Sequence, residues 1–368
     1  MSAELIFVED FKKEAKKKVS PFGWGYYSAG SVGEQTVHEN CEAYKRWRFR
    51  PRLLRYVSEV DISTTVLGSN IPFPICIAPT AHHAIACAEG EVETAQAAES
   101  LGTGMALSIY SNRTMEEVAH QAPNGIKWCH VQIVRNRDLI KHYVKRAEKA
   151  GYNGFIVTID QAVLGNRHHR YSDGTSFAFK QLHPSTNLLE STKHFMPHMN
   201  EIRAFLHLTD GTTEWDSLDW LRSITKLPIA VKGILTSEMA LKAVEHKVDG
   251  IIVSNHGGRQ LDGTFASIDS LPEVVKAVNG RCDVYFDGGI RKGTDIAKAI
   301  ALGAKAVFVG RPILWGLICG GKEGAQRVLE ILRDELVTTM QLLGVKSLDE
   351  LQTTPDLVVH ESYLFSKL

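Results

Sequence analysis

Eight short apolar runs punctuate the chain between residues 74 and 310: PICIAP (74–79), GMALS (104–108), KWCHVQI (127–133), GFIVTID (154–160), PIAVKG (228–233), GIIVS (250–254), DVYFDG (283–288) and AVFVG (306–310). Runs this short and this continuously apolar read as strands buried on both faces. Most of the intervals repeat with helical spacing, as in EVETAQAAESLG, NRDLIKHYVKRAEKAG, TSEMALKAVEHKV, IDSLPEVVKAVNG and GTDIAKAIALGA. Alternating buried strands and amphipathic helices make a parallel sheet with helices outside, and eight units predict a closed α/β (β/α)8 TIM barrel. No GxGxxG follows the first run, which argues against a nicotinamide-binding domain.

The flanks set the rest of a single domain over residues 1–368. Residues 1–70 read as a helical preface: a helix over Phe11–Lys17, a turn at FGWGYYSAGS, and a basic-aromatic helix CEAYKRWRFRPR closed by Pro51. The barrel is expected over 71–320. A long insertion after the fourth strand, residues 166–217, has many polar and histidine residues and reads as a lid. A helix over Lys322–Leu343, within the terminal segment 321–368, is expected to cross the barrel exterior.

Lysine and arginine balance aspartate and glutamate at 42 each, so no bulk attraction to nucleic acid or an anionic membrane is expected. No apolar run approaches the roughly 18 residues of a spanning helix, and Met1–Asp10 carries early acids where a secretory leader would be apolar. The six cysteines lack metal-ligand spacing and read as free thiols in a reducing compartment. The last three residues, Ser366-Lys367-Leu368, spell a peroxisomal address, which implies an import receptor as partner.

In such a barrel, chemistry gathers at the C-terminal strand ends. Taken in order, these ends offer Pro79, Thr80 and Ala81; Ser108; His130 and Gln132; Thr158 and Asp160; Lys232; and Ser254, His256 and Arg259. The sixth end reads SNHGGRQLDG, where a histidine suited to take a proton and an arginine fork for a carboxylate flank two glycines. The last two ends, DGGIRKG and GRP, read as a phosphate site. Gly288, Gly289 and Gly310 leave amides open while Arg291 and Arg311 supply charge. A lysine on an interior strand beside a phosphate site suits a cofactor with an electron-accepting ring.

SNHGGRQLDG, with APTA, LPIAVKGI, DGGIRKGTD and VFVGRPILWG, resembles the family of FMN-dependent α-hydroxy-acid oxidases that includes glycolate oxidase. The likeness runs over nearly the whole chain. It implies FMN as cofactor and oxidation of a small (S)-2-hydroxy acid to the 2-oxo acid, with molecular oxygen as acceptor and hydrogen peroxide released. It also implies a homotetramer. His256 would be the base, Asp160 its orienting carboxylate, and Arg259 with Tyr26 the grip on the substrate carboxylate, assisted by Arg167 as a mobile second cation. Lys232 would face the pyrimidine edge of the flavin, and Pro79, Thr80 and Ala81 its reactive nitrogen. Ser108, Thr158 and Ser254 would bind the flavin, Asp287 the ribityl chain, and Gly289, Arg291, Gly310 and Arg311 the phosphate.

The third strand departs from the family. WFQLYVYKD is usual; this chain has WCHVQIVRN, so His130 replaces a flavin-binding glutamine and Gln132 a substrate-facing tyrosine. DQAVLGNRHHRYSDG replaces DTPxLGNRRxDxRNxF, His82-His83 follow APTA where Met-Gln is common, and Ile109-Tyr110 occupy a position that varies with substrate size. Two readings follow: an oxidase with an altered substrate preference, or a flavin-binding relative with altered or lost turnover. A phosphate-binding barrel isomerase or lyase without flavin is a third, and it leaves SNHGGRQLDG without a purpose.

Overall fold

A computed structural model describes residues 5–167 and 213–363, together with Asn187, Glu190 and Gly211. Each of the eight apolar runs forms a strand: β1 (Ile75–Ile77), β2 (Gly104–Leu107), β3 (Ile126–Val131), β4 (Gly154–Thr158), β5 (Ile229–Ile234), β6 (Gly250–Val253), β7 (Asp283–Asp287) and β8 (Ala306–Val309). All neighbours pair in parallel, and β8 returns to β1 to close the barrel.

The two-residue period of a strand divides its side chains between two cores. Cys76, Ala106, Trp128, Ile156, Ala230, Ile252, Tyr285 and Phe308 fill the barrel interior. Ile75, Ile77, Met105, Leu107, Phe155 and Val157 face outward into the helices. Trp128 needs the space left by Gly104, where a Cβ would lie 2.2 Å from the indole. A hairpin of Thr64–Val66 and Ser69–Ile71 reaches the interior core, where the Leu67 amide donates to the Tyr285 hydroxyl at 2.9 Å.

The preface differs from the expectation in two places. FGWGYYSAGS, read as a turn, contains a helix. Helices α1 (Val8–Lys18), α2 (Pro21–Ser28) and α3 (Gln35–Glu42) follow one another. Ser20 caps α2 by accepting from the Gly23 amide at 3.1 Å, and Pro21 occupies the first turn, where its missing N–H costs nothing. CEAYKRWRFRPR is not one helix. It ends α3, passes through a 3₁₀ turn (Ala43–Arg46) and becomes a strand, Trp47–Phe49, paired antiparallel with Val358–His360. A partner some 300 residues away supplies the ladder, so tertiary pairing overrides local helical preference.

The terminal helix is longer than expected. It spans Arg311–Leu343 and breaks at Gly320 and Gly321, the latter at φ +55°. The expected Lys322–Leu343 is its second half, and the first half meets α1, where Lys18 donates to the Cys319 carbonyl and Lys12 lies over the Trp315 ring. The lid reading of 166–217 falls largely outside the described residues, as does Ser366-Lys367-Leu368. Among the described residues no helix is long and apolar enough to cross a membrane.

Candidate active site

The C-terminal strand ends open into a cavity of about 1260 Å³, counted out to its mouth. Every residue singled out from the sequence lines it except Asp160, Ser254 and Gln132, and each of those three is hydrogen-bonded to a residue that does. The preface supplies Tyr26 and Tyr27 from α2, so chain segments more than 200 residues apart meet in one wall.

His256 follows β6 with φ +58°, and Gly257 and Gly258 continue in the left-handed region at +64° and +74°. A non-glycine residue held there costs free energy and needs support from its surroundings. Ser254 gives some, its Oγ accepting from the His256 amide at 3.0 Å, and Arg311 gives more by donating to the Gly257 carbonyl at 2.8 Å. The imidazole Nδ1 meets Asp160 Oδ1 at 2.8 Å. A carboxylate only accepts, so Nδ1 carries the proton and Nε2 keeps its lone pair. Burial, then the charges of Lys232 and Arg167, hold the imidazole below its ordinary pKa, with Asp160 opposing them. Burial alone would raise Asp160, but His256 and Lys232 outweigh it and keep the carboxylate ionised.

Lys232 projects from β5 between Ser254 Oγ at 2.8 Å and Asp287 Oδ2 at 3.2 Å. Asp287 Oδ1 is buried with no hydrogen-bond partner in the protein. A buried acceptor left unmatched is costly, so the cavity wall is built for a ligand that donates there. Farther along the rim, burial and the neighbouring charges of Arg259 and Arg291 pull the Arg311 guanidinium down to about 9. Three cations in one low-dielectric pocket call for an anion. Gly289 beside them is obligatory, since at φ +74° a Cβ would meet the Asn40 carbonyl at 1.8 Å. A polyhydroxylated chain ending in phosphate, with a ring against Lys232, fits this donor and acceptor set, so the residues present fit FMN.

Arg259 donates to the carbonyls of Tyr26 and Ala29, both at 2.9 Å, and lies over the Tyr26 ring. Arg167, expected to be mobile, is only 6% exposed and is tied to the Arg259 carbonyl at 3.1 Å and to Gln260 Oε1 at 3.3 Å. Gln132 does not reach the cavity; its amide spans Tyr110 and the Gln161 carbonyl. His130 lines the cavity with both nitrogens engaged, Nδ1 accepting from the Ile109 amide and Nε2 meeting Thr158 Oγ1 at 3.0 Å. Burial, with His256 and Lys232 nearby, pushes it down to about 3, so it is neutral.

Several residues of the site carry no signal that motif reading could use. Gly233 makes room for Asp160, and Gln161 anchors Gln132 through its main chain. Tyr44 clamps the Gly288 carbonyl from the preface at 2.7 Å. A glycine directly after Lys232 on a buried strand was the one available hint.

A family model described as FMN-dependent dehydrogenase matches residues 15–359. Human 2-hydroxyacid oxidase 1 is 42% identical over 96% of this chain and 97% of its own. The peroxisomal (S)-2-hydroxyacid oxidase GLO3 of Arabidopsis thaliana is 43% identical over 95% of each. Among solved structures, a flavocytochrome b2 variant with pyruvate bound superimposes with a TM-score of 0.87 at 33% identity, over 99% of this chain and 88% of that one. A mandelate oxidase variant with benzaldehyde gives 0.84 at 32%, over 94% and 97%.

Proposed function

The chain belongs to the FMN-dependent dehydrogenase family, and from that premise we propose the residue roles by which it oxidises (S)-2-hydroxy acids to 2-oxo acids. It is an FMN-dependent 2-hydroxy-acid oxidase. The observation that carries the assignment of roles is the His256–Asp160 pair, with His256 in the wall of a cavity that Lys232 and four arginines, Arg167, Arg259, Arg291 and Arg311, also line.

Arg259 and Tyr26, with Arg167 beside them, receive the substrate carboxylate. Arg259 is held by backbone carbonyls, so its remaining donors are oriented before substrate arrives, which limits the entropy lost on binding. His256 Nε2 takes a proton from the substrate as the α-carbon is oxidised. Asp160 keeps the imidazole in the tautomer that leaves Nε2 basic, and stabilises the imidazolium that forms. Pro79, Thr80, Ala81, Ser108, Thr158 and Lys232 hold FMN, with Asp287 on its chain and Gly288, Gly289, Arg291, Gly310 and Arg311 around its phosphate; when bound, FMN accepts the two electrons that leave the substrate. Ser254 couples the halves of the site, accepting from both Lys232 and the His256 amide.

Molecular oxygen as final acceptor, a homotetrameric assembly, and delivery to the peroxisome through a receptor for Ser366-Lys367-Leu368 belong to the same proposal. The relative named as a peroxisomal oxidase supports the compartment. The test is direct. Purified protein should be yellow and should bleach without oxygen on adding glycolate, lactate or a longer 2-hydroxy acid. Colour without bleaching would sink the catalytic roles and leave a flavin-binding protein.

A further inference from the structure

Four arginines line the cavity, and three of them are anchored in the same way. Arg167, Arg259 and Arg311 each donate to two or more acceptors elsewhere in the fold. Arg291 is the exception. Among the described residues its guanidinium makes one hydrogen bond, from Nη1 to the carbonyl of its chain neighbour Ile290 at 2.7 Å, and no ion pair. What it has is an aromatic face: Arg291 Cζ lies 4.9 Å from the centroid of the Trp315 ring.

Trp315 does not line the cavity. It is 1% exposed and sits on the terminal helix four residues after Arg311, one turn along the same face. Its Nε1 is buried with no hydrogen-bond partner. An orphaned buried donor costs free energy, and phenylalanine would fill an apolar site without it. The indole face supplies the compensation, because it attracts a cation more strongly than other aromatic rings, most of all where water is excluded. Lys12 also lies over the ring, at 5.7 Å, but it is paired with Glu9 at 2.9 Å and its side chain is 40% exposed, so its pull is weak. Arg291 is the cation the ring serves.

We propose that Trp315 is a positioning residue for the phosphate end of FMN, acting through Arg291. The indole holds the guanidinium before the cofactor arrives, so less side-chain freedom is lost when the phosphate binds. The proposal rests on the phosphate role given to Arg291 above. It concerns affinity for the phosphate alone; the flavin ring, assigned to the Lys232 side, gains nothing from Trp315.

The test titrates the full-length chain, stripped of flavin, with FMN and with riboflavin, which lacks the phosphate. Binding is read from the anisotropy of flavin fluorescence. Wild type should bind FMN more tightly than riboflavin. Trp315→Phe should lower that preference about threefold, through FMN alone, and Trp315→Leu about tenfold. Arg291→Met should lower it at least tenfold, and adding Trp315→Phe to Arg291→Met should change nothing more, because the ring then has no cation to hold. A Trp315→Phe variant that weakens both flavins alike, leaves both unchanged, or acts equally with and without Arg291 would overturn the proposal while leaving the phosphate site intact. Equal affinity of the wild type for the two flavins would remove the phosphate reading itself, and this proposal with it.

Discussion

Gly233 stands where any side chain would collide with Asp160: a Cβ there would lie 2.8 Å from Asp160 Cβ, 2.9 Å from Cγ and 3.0 Å from its amide nitrogen. The backbone at Gly233 also has φ +113°, outside the range other residues adopt. The carboxylate that orients His256 therefore depends on a missing methyl group on the neighbouring strand. Gly233→Ala should push Asp160 away from Nδ1 and lower kcat by about 10²-fold, the scale of a misplaced catalytic group. Steady-state kinetics beside circular dichroism checks this; wild-type kcat in a folded variant would contradict it.

The pH profile follows from the shifts at the site. His256 is held below the ordinary imidazole pKa, and it must be neutral to take a proton. Activity should fall as pH drops through a value below 6.5, and remain level from there into the neutral range. Asp160 raises the His256 pKa, so Asp160→Asn should move this acid limb lower still while reducing the maximal rate. His130, down at about 3, should add no limb in the assay range. The profile of kcat/KM for both proteins measures the sign.

Arg311 has a second task beside the phosphate role proposed for it. Its Nε donates to the Tyr27 carbonyl at 3.0 Å, Nη1 to Gly257 at 2.8 Å and Nη2 to Ala29 at 3.3 Å, which locks α2 to the loop carrying His256. A lysine cannot reproduce that fork. Arg311→Lys should lose FMN and also lower stability by about 1–3 kcal/mol, the cost of leaving buried carbonyls unmatched. Denaturant titration of the apoprotein separates the two effects: an unchanged midpoint would leave Arg311 with the phosphate role alone.

Lys232 bridges Ser254 and Asp287, and Asp287 already has one oxygen without a protein partner. Lys232→Met leaves the carboxylate buried with neither oxygen paired. The ratio of FMN to protein after purification should fall at least tenfold, since the site loses the charge facing the ring and gains an uncompensated one. Full flavin occupancy would argue that Lys232 serves packing.

Restoring the aromatic residue just after β3 should fail by itself. Gln132 is buried, and its amide accepts from the Tyr110 hydroxyl and donates to the Gln161 carbonyl. Gln132→Tyr removes the amide that satisfies both the Tyr110 hydroxyl and the Gln161 carbonyl, and leaving buried polar groups unmatched is expected to cost about 1–3 kcal/mol. Thermal unfolding of the single variant tests the claim; an unaltered midpoint would mean that the two groups find other partners.

The barrel and most of the site were legible in the chain because both are local signals. A buried strand must be continuously apolar, and the residue that ends it must meet the rim, so position along the run specifies position in the barrel. The sequence therefore determined the eight strands and brought His256, Lys232 and the glycines of the last two loops to one rim. Tertiary structure alone decided the rest. Trp47–Phe49 is a strand only because Val358–His360 lies beside it. Gly233 matters because Asp160 is opposite, and the Gln132 amide is held by Tyr110 and the Gln161 carbonyl. Such facts depend on which groups meet across the closed barrel, and a linear pattern holds no record of partners that distant.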